Sequence, residues 1–245
     1  MHQPPLNVRP FGQAVDLDLD FSDADRPELV TRLLGQCSEH GDPAFWWSQP
    51  VSARTSALLR LVAATEQAEA LSFTARCTQV ACGEMFEFEL PLHGLVVGAD
   101  ETTPIRVLLD GQRVVTLRRP TGGDLRQWRA ARPASRAEAV RMMLDTLLLD
   151  GQVRPRDEAR LAESIAAADP LVAFAVSCNC PACGATNEVP VDLDATALAR
   201  LGAHQQALLR AIHGLASHYG WSESQVLAIP PARRAQYLAF IEHQS

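Results

Sequence analysis

Hydrophobic positions along the chain change period several times, and each change marks an element. Apolar and acidic residues alternate over Val15-Asp16-Leu17-Asp18-Leu19-Asp20-Phe21, which predicts a half-buried edge strand or, equally, a solvated acidic arm. Residues from Glu28 to Leu34 read as a short helix, and Asp42-Pro43 marks a break. Leu58, Leu59, Val62 and Ala63 then recur at helical spacing, with Ser52 available as the N-cap. The period next drops to two. Phe86, Phe88, Leu90 and Leu92 alternate with Glu87 and Glu89, as in a strand with one face buried. Two β-branched runs, 105–109 and 113–117, flank Asp110-Gly111, a strong hairpin signal because both central residues tolerate positive φ.

Helical periods return in the middle of the chain. Asp124 is placed to cap a short helix through Trp128. Ser135 with Glu138 makes a capping box for a helix whose stripe, Val140, Met143, Leu144, Leu147 and Leu148, runs to Gly151. Another helix is predicted from Asp157 to Ala168, stopped at Asp169-Pro170. Residues 171–193 revert to strand periodicity. The tail is helical: Leu198, Leu201, Leu208, Leu209, Ile212, Leu215 and Tyr219 share one face up to Gly220. Ser222 with Gln225 caps a short helix, and Pro231 opens a last one. The fold class is therefore α+β, in three parts: an N-terminal arm with helices (1–70), a β section (71–193) with a helical insertion at about 121–169, and a C-terminal helical tail (194–245).

Composition narrows the class further. The 245 residues are 47% apolar and 21% charged, ordinary for a chain that buries a core. Net charge is −7, from 29 acidic against 22 basic residues, all of the latter arginine. That balance argues against broad contact with nucleic-acid phosphates. No apolar run reaches the roughly 18 residues of a membrane span, and Met1-His2-Gln3-Pro4-Pro5 lacks the charge and the apolar stretch of a secretory signal. The expectation is a protein without a membrane partner, working in a reducing compartment.

The cysteines carry the candidate chemistry. Cys37 stands alone, Cys77 and Cys82 form one cluster, and Cys178, Cys180 and Cys183 form another. In a reducing compartment such clusters read as metal ligands before they read as disulfides. Phe73 and Phe174 precede the clusters and both clusters end in Ala-Cys-Gly, so Cys77 aligns with Cys178 and Cys82 with Cys183, about 100 residues apart. Two strand–knuckle–strand hairpins, each offering two thiolates, are how a zinc ribbon builds a closed tetrahedral site. The expected ligands are Cys77, Cys82, Cys180 and Cys183, with Cys178 as the alternative ligand and structural zinc as the cofactor. The competing reading is a metal-free sheet with reduced, packed cysteines. A closed site leaves no position for a substrate, and His213 and His218, five apart, lack the spacing of metalloprotease ligands. With no phosphate loop, dinucleotide fingerprint or nucleophile elbow, neither a small-molecule substrate nor an enzymatic reaction is expected.

Several segments then point to a family. They are Cys180-Pro181-Ala182-Cys183-Gly184, the helix segment from Leu209 through His213 to Ala216, and the turn Tyr219-Gly220-Trp221-Ser222-Glu223. The ending Ile229-Pro230, Arg233-Arg234 and Tyr237-Leu238 completes the set. Together they resemble the T-even-type phage baseplate hub assembly proteins, often labelled hub assembly chaperones. Arg118 to Leu125 and Ala168-Asp169-Pro170 extend the likeness over roughly residues 73–243. The first knuckle departs from it, with four residues between its cysteines where the family more often has two, and the run from Ala185 to Pro190 lacks an expected aromatic.

The resemblance implies a non-enzymatic assembly factor or chaperone for the hub of a contractile phage tail or related injection machine. Its partners would be baseplate hub or other tail proteins, met in the bacterial cytoplasm during assembly, with retention in the baseplate left open. Tyr219, Trp221, Arg233, Arg234 and Tyr237 are the expected partner-binding residues, of types enriched at interface hot spots. Arg233 and Arg234 sit near the start of a helix, where the dipole disfavours positive charge, so a role outside folding would explain them. The alternative is a zinc-ribbon nucleic-acid-binding protein with Arg126, Arg129, Arg132 and Arg136 as a basic stripe, against which Glu87, Glu89 and the net acidity stand.

Overall fold

The alternating acidic stretch near the N-terminus is neither strand nor solvated arm. In a computed structural model of the chain, which describes residues 7–95 and 103–243, Ala14–Asp18 forms a 3-10 turn. Asp16 is the reason. Its carboxylate is fully buried, accepts two guanidinium bonds from Arg9 at 2.7 Å, and takes the N–H groups of Gly12 and Gln13 at 2.9 Å. A strand would have sent Asp16, Asp18 and Asp20 to one side. Here Asp18 and Asp20 stay exposed while Asp16 turns in, and Gln205 fastens the turn by donating to the carbonyls of Leu17 and Leu19. Met1 to Pro5 and the last two residues of the tail lie outside the described residues.

Three helices follow: α1 (Arg26–Cys37), α2 (Pro43–Ser48) and α3 (Val51–Glu66). Helix α1 is longer than expected because Asp25 caps it by accepting the Glu28 N–H, with Pro27 in the first turn. Asp42-Pro43 starts a helix and does not merely break one, since Asp42 accepts the Ala44 N–H. Ser52 is no cap; Pro50 holds that position and Ser52 is buried in the first turn. Leu58, Leu59, Leu61 and Val62 have no exposed surface, which makes α3 the central helix of the main core. Arg54, also buried, donates to the carbonyls of Trp46 and Pro27 and so ties α3 to α2 and α1; burial pulls its guanidinium down to about 10.

Strands β1 (Ala70–Arg76) and β2 (Met85–Pro91) form the first hairpin, with Phe73 opposite Phe88, and α4 (Leu92–Leu95) closes it. The second unit opens with β3 (Ile105–Leu108) and β4 (Val114–Leu117), paired as the Asp-Gly signal predicted. The positive φ angles fall on Gly111 and Gln112, however, and not on Asp110. Helix α5 (Gly122–Ala131) is capped by Thr121, with Asp124 returning the bond to the Thr121 N–H and gripping Arg118. A Cβ at Gly122 would collide with the Arg54 guanidinium, which accounts for the glycine at that position. Helix α6 (Arg136–Leu147) ends four residues before Gly151, because 148–150 peel off as β5 (Leu148–Asp150) and extend the hairpin to the order β3-β4-β5. With α7 (Glu158–Ala168) these elements enclose a second core around Val115, Leu117, Leu147 and Leu161.

The chain returns through a third hairpin, β6 (Ala175–Asn179) and β7 (Thr186–Pro190), into α8 (Leu193–Tyr219), α9 (Glu223–Leu227) and α10 (Pro231–Glu242). The first half of α8 joins the main core through Leu193, Ala197, Leu198 and Leu201. Its second half uses Leu208, Ile212 and Leu215 to hold α9 and α10. Among the described residues the architecture is thus mixed α and β, with three small sheets and a helical C-terminal tail. Among the described residues the first and third hairpins do not pair into one sheet; their tips meet through the cysteines, and Phe86, Phe88 and Val189 share a small apolar cluster behind them. No helix among those residues is long and apolar enough to cross a membrane.

Asp16 yields the sharpest test of this frame. Burial works to raise its carboxyl, but Arg9 and the two N–H groups hold it below the ordinary 3.8. A depressed carboxylate contributes stability that is present above the unfolded value and lost as pH falls through the folded one. Asp16→Ala is expected to cost about 3 kcal/mol, because it strands a partly buried arginine. Asp18→Ala should stay within about 0.5 kcal/mol. Urea unfolding at pH 7 compares them, and the gap should shrink steadily below pH 4.

Candidate metal centre

Each hairpin ends in a cysteine the moment its strand stops. Strand β1 ends at Arg76 and β6 at Asn179, so the structural counterparts are Cys77 and Cys180, not Cys77 and Cys178 as the flanking residues suggest. The backbone says the same: the Cys77 N–H bonds to the Glu84 carbonyl at 2.8 Å, and the Cys180 N–H to the Ala185 carbonyl at 2.9 Å. Gly83 and Gly184 follow the second cysteine of each pair with φ of 61° and 74°, a conformation costly for any residue with a Cβ. The first cysteine turn is therefore the second with two extra residues in its tip. Those residues bulge outward, and Val80 among them is fully exposed.

This geometry brings the four expected sulfurs together. Cys77 Sγ lies 3.6 Å from Cys183 Sγ, and Cys82 Sγ lies 3.9 Å from Cys180 Sγ, both contacts running across the hairpins. All four atoms fall within 4.8 Å of one another, a group able to hold a metal ion. The fit can be checked against bond lengths. Four sulfurs about 2.3 Å from a tetrahedral zinc stand roughly 3.8 Å apart, and the two contacts bracket that value. Cys178 is not in the group; it stays on β6, with its thiol 3.8 Å from the Asn187 carbonyl.

Backbone amides serve the sulfurs in a repeated way. The N–H two residues onward acts on each: Gln79 on Cys77, Glu84 on Cys82, Ala182 on Cys180 and Ala185 on Cys183. Cys180 also has the Cys183 N–H. Burial works to raise its thiol, yet these donors bring it down to about 7. Behind the tip, Ala75, Phe86, Phe88 and Val189 make a small apolar cluster around the buried Cys77 and Cys180.

One residue of this site was not foreseen. Asn187 on β7 is buried, and its Oδ1 accepts the Thr78 N–H at 2.7 Å and the Thr78 hydroxyl at 2.9 Å, while its Nδ2 donates to the Ala185 carbonyl at 2.8 Å. It thus ties the first cysteine turn to the second. The available signal was an amide inside a short strand directly after a knuckle.

The expected partner residues fall into two groups. Tyr219 and Trp221 stack with ring centroids 4.6 Å apart, and Tyr237 meets Trp221 edge-on at 5.2 Å. These rings lock the turns between α8, α9 and α10, with Trp221 and Tyr237 packed on the local core. Arg233 is exposed on α10, Arg234 is half-buried near His204, and the exposed Phe240 lies two turns beyond Arg233 on the same side of the helix. Cys37 is sealed in the main core beside Asp16, and burial pushes its thiol up to about 12. No family model, curated protein or solved structure matches this chain.

Asn187→Ala is expected to destabilise by about 1–3 kcal/mol, because the Thr78 N–H and hydroxyl lose their acceptor and the Ala185 carbonyl loses its donor. Asn179→Ala, on the exposed side of the same hairpin, should change stability by less than about 0.5 kcal/mol. Denaturant midpoints of the two variants make the comparison.

Proposed function

We propose that the two knuckle hairpins form a zinc-ribbon-like centre in a non-enzymatic assembly factor, one that serves the baseplate hub of a contractile phage tail or related injection machine. The observation that carries the reading is closure of the sulfur group. Four thiolates complete the tetrahedral shell that zinc favours and leave no position for a substrate. Bound zinc would supply a fixed link between hairpins. The chain's own residues do the positioning: amides aimed at sulfur, the two left-handed glycines, and Asn187 holding the first knuckle in place.

The likeness of the C-terminal third to hub assembly proteins supports the destination. Exposed Arg233 and Phe240 on α10 offer cationic and aromatic contacts to a partner, while Tyr219, Trp221 and Tyr237 brace the helix that presents them. The nucleic-acid alternative has less behind it. Arg132 ends α5 and Arg136 begins α6, so the four arginines do not share one helical face. Arg129 is drawn to within 3.6 Å of Asp25.

Two measurements test the proposal. Elemental analysis of the purified protein should find one zinc per chain; under about a tenth of an equivalent of any transition metal would overturn the centre. For the partner surface, Arg233→Glu combined with Phe240→Ala should reduce capture of hub proteins about tenfold while leaving the melting temperature within a few degrees. Undiminished capture by the folded double variant would contradict a contact through α10.

A further inference from the structure

The sulfur contacts run between the hairpins, and that direction has a chemical consequence. Cys183 is exposed and Cys82 half-exposed, so the group is open to small oxidants on one side. Each of these outer thiols has an inner partner on the opposite hairpin: Cys77 for Cys183 at 3.6 Å, and Cys180 for Cys82 at 3.9 Å. We propose that the centre is a redox-convertible clamp, in which a peroxide turns the four thiolates into two disulfides, Cys77–Cys183 and Cys82–Cys180, that join the hairpins in place of a metal.

The step balances. A thiolate attacks one peroxide oxygen and breaks the O–O bond, giving a sulfenic acid and hydroxide. The partner thiolate then attacks that sulfur, forms the S–S bond and expels a second hydroxide. Two peroxides so consume four thiolates and give two disulfides and four hydroxides. Each sulfur loses one electron, each peroxide gains two, and any metal held by the thiolates leaves as the free cation.

The surroundings favour this outcome over two cross-links inside the separate knuckles. Asn187 keeps the first knuckle against the second through Thr78, by hydrogen bonds that do not involve the sulfurs. The roots of the hairpins are anchored too, since Phe73, Leu90, Phe174 and Val191 pack against the main core. Loss of the metal therefore leaves opposing sulfurs beside each other. The remaining two cysteines stand apart from the exchange. Cys37 is sealed in the core, and Cys178 is half-buried on β6 with its thiol toward a carbonyl.

The inference rests on the thiol geometry and is separable from the zinc reading. Metal content is measured first. Metal-loaded and chelator-stripped samples of the full chain are then treated with hydrogen peroxide, and residual thiols are alkylated after denaturation. Trypsin cuts after arginine, so Cys77 and Cys82 share the peptide 77–106, while Cys178, Cys180 and Cys183 share the peptide 161–200. The expected result is a mass loss of about 4 Da, two hydrogens for each of two disulfides. Two alkylated residues, Cys37 and Cys178, should remain, and the two peptides should run as one species that dithiothreitol separates. In a Cys77→Ser variant the remaining Cys82–Cys180 bond should still unite them. Peptides that stay separate with internal disulfides, sulfinic or sulfonic acids as the main product, or unreacted thiols in the stripped protein would each overturn the clamp.

Discussion

Two segments separated by 106 residues of chain meet at a pair of sulfur atoms, and much of the architecture follows from that meeting. Between them the chain builds the whole three-stranded sheet with α5, α6 and α7. An excursion of that length must return to a defined point, and the entropy of closing a loop rises with its size. The fold meets that demand at both ends of each hairpin. Apolar residues at the roots dock on the core around α3, while cysteines and the Asn187 amide join the tips. The tips alone would be a poor anchor, because isolated two-stranded hairpins are marginal in water.

Much of this was legible in residue spacing. The cysteine set, the Asp-Gly hairpin and the long helix ending at Gly220 all rest on local signals: ligand spacing, turn chemistry and a left-handed C-cap. What escaped depended on distant partners. Asp16 alternates like a strand residue, but an arginine seven residues earlier and a glutamine on α8 pull its segment into a turn. Strand β5 reads as the end of a helix until β4 offers it an edge. Aligning Cys77 with Cys178 followed matching flanks, whereas the strand ends place Cys77 against Cys180. Periodicity reports which face a residue prefers, and it cannot name the partner that overrides the preference.

The tail shows how one sequence motif can divide its work. Tyr219, Trp221 and Tyr237 fill the corner between three helices and so serve packing. The tail's exposed arginine and phenylalanine take no part in that corner, which is why the proposed partner contact is placed on α10. Helix α8 begins in the main core, which also receives the hairpin roots, and ends beneath α10.

X-ray absorption at the zinc edge of the purified, reduced protein tests the central claim most directly. The account predicts a first shell of four sulfur scatterers at about 2.3 Å with no nitrogen or oxygen ligand. A shell containing light atoms, or fewer than four sulfurs, would mean that Cys77, Cys82, Cys180 and Cys183 do not together close the site, and would contradict it.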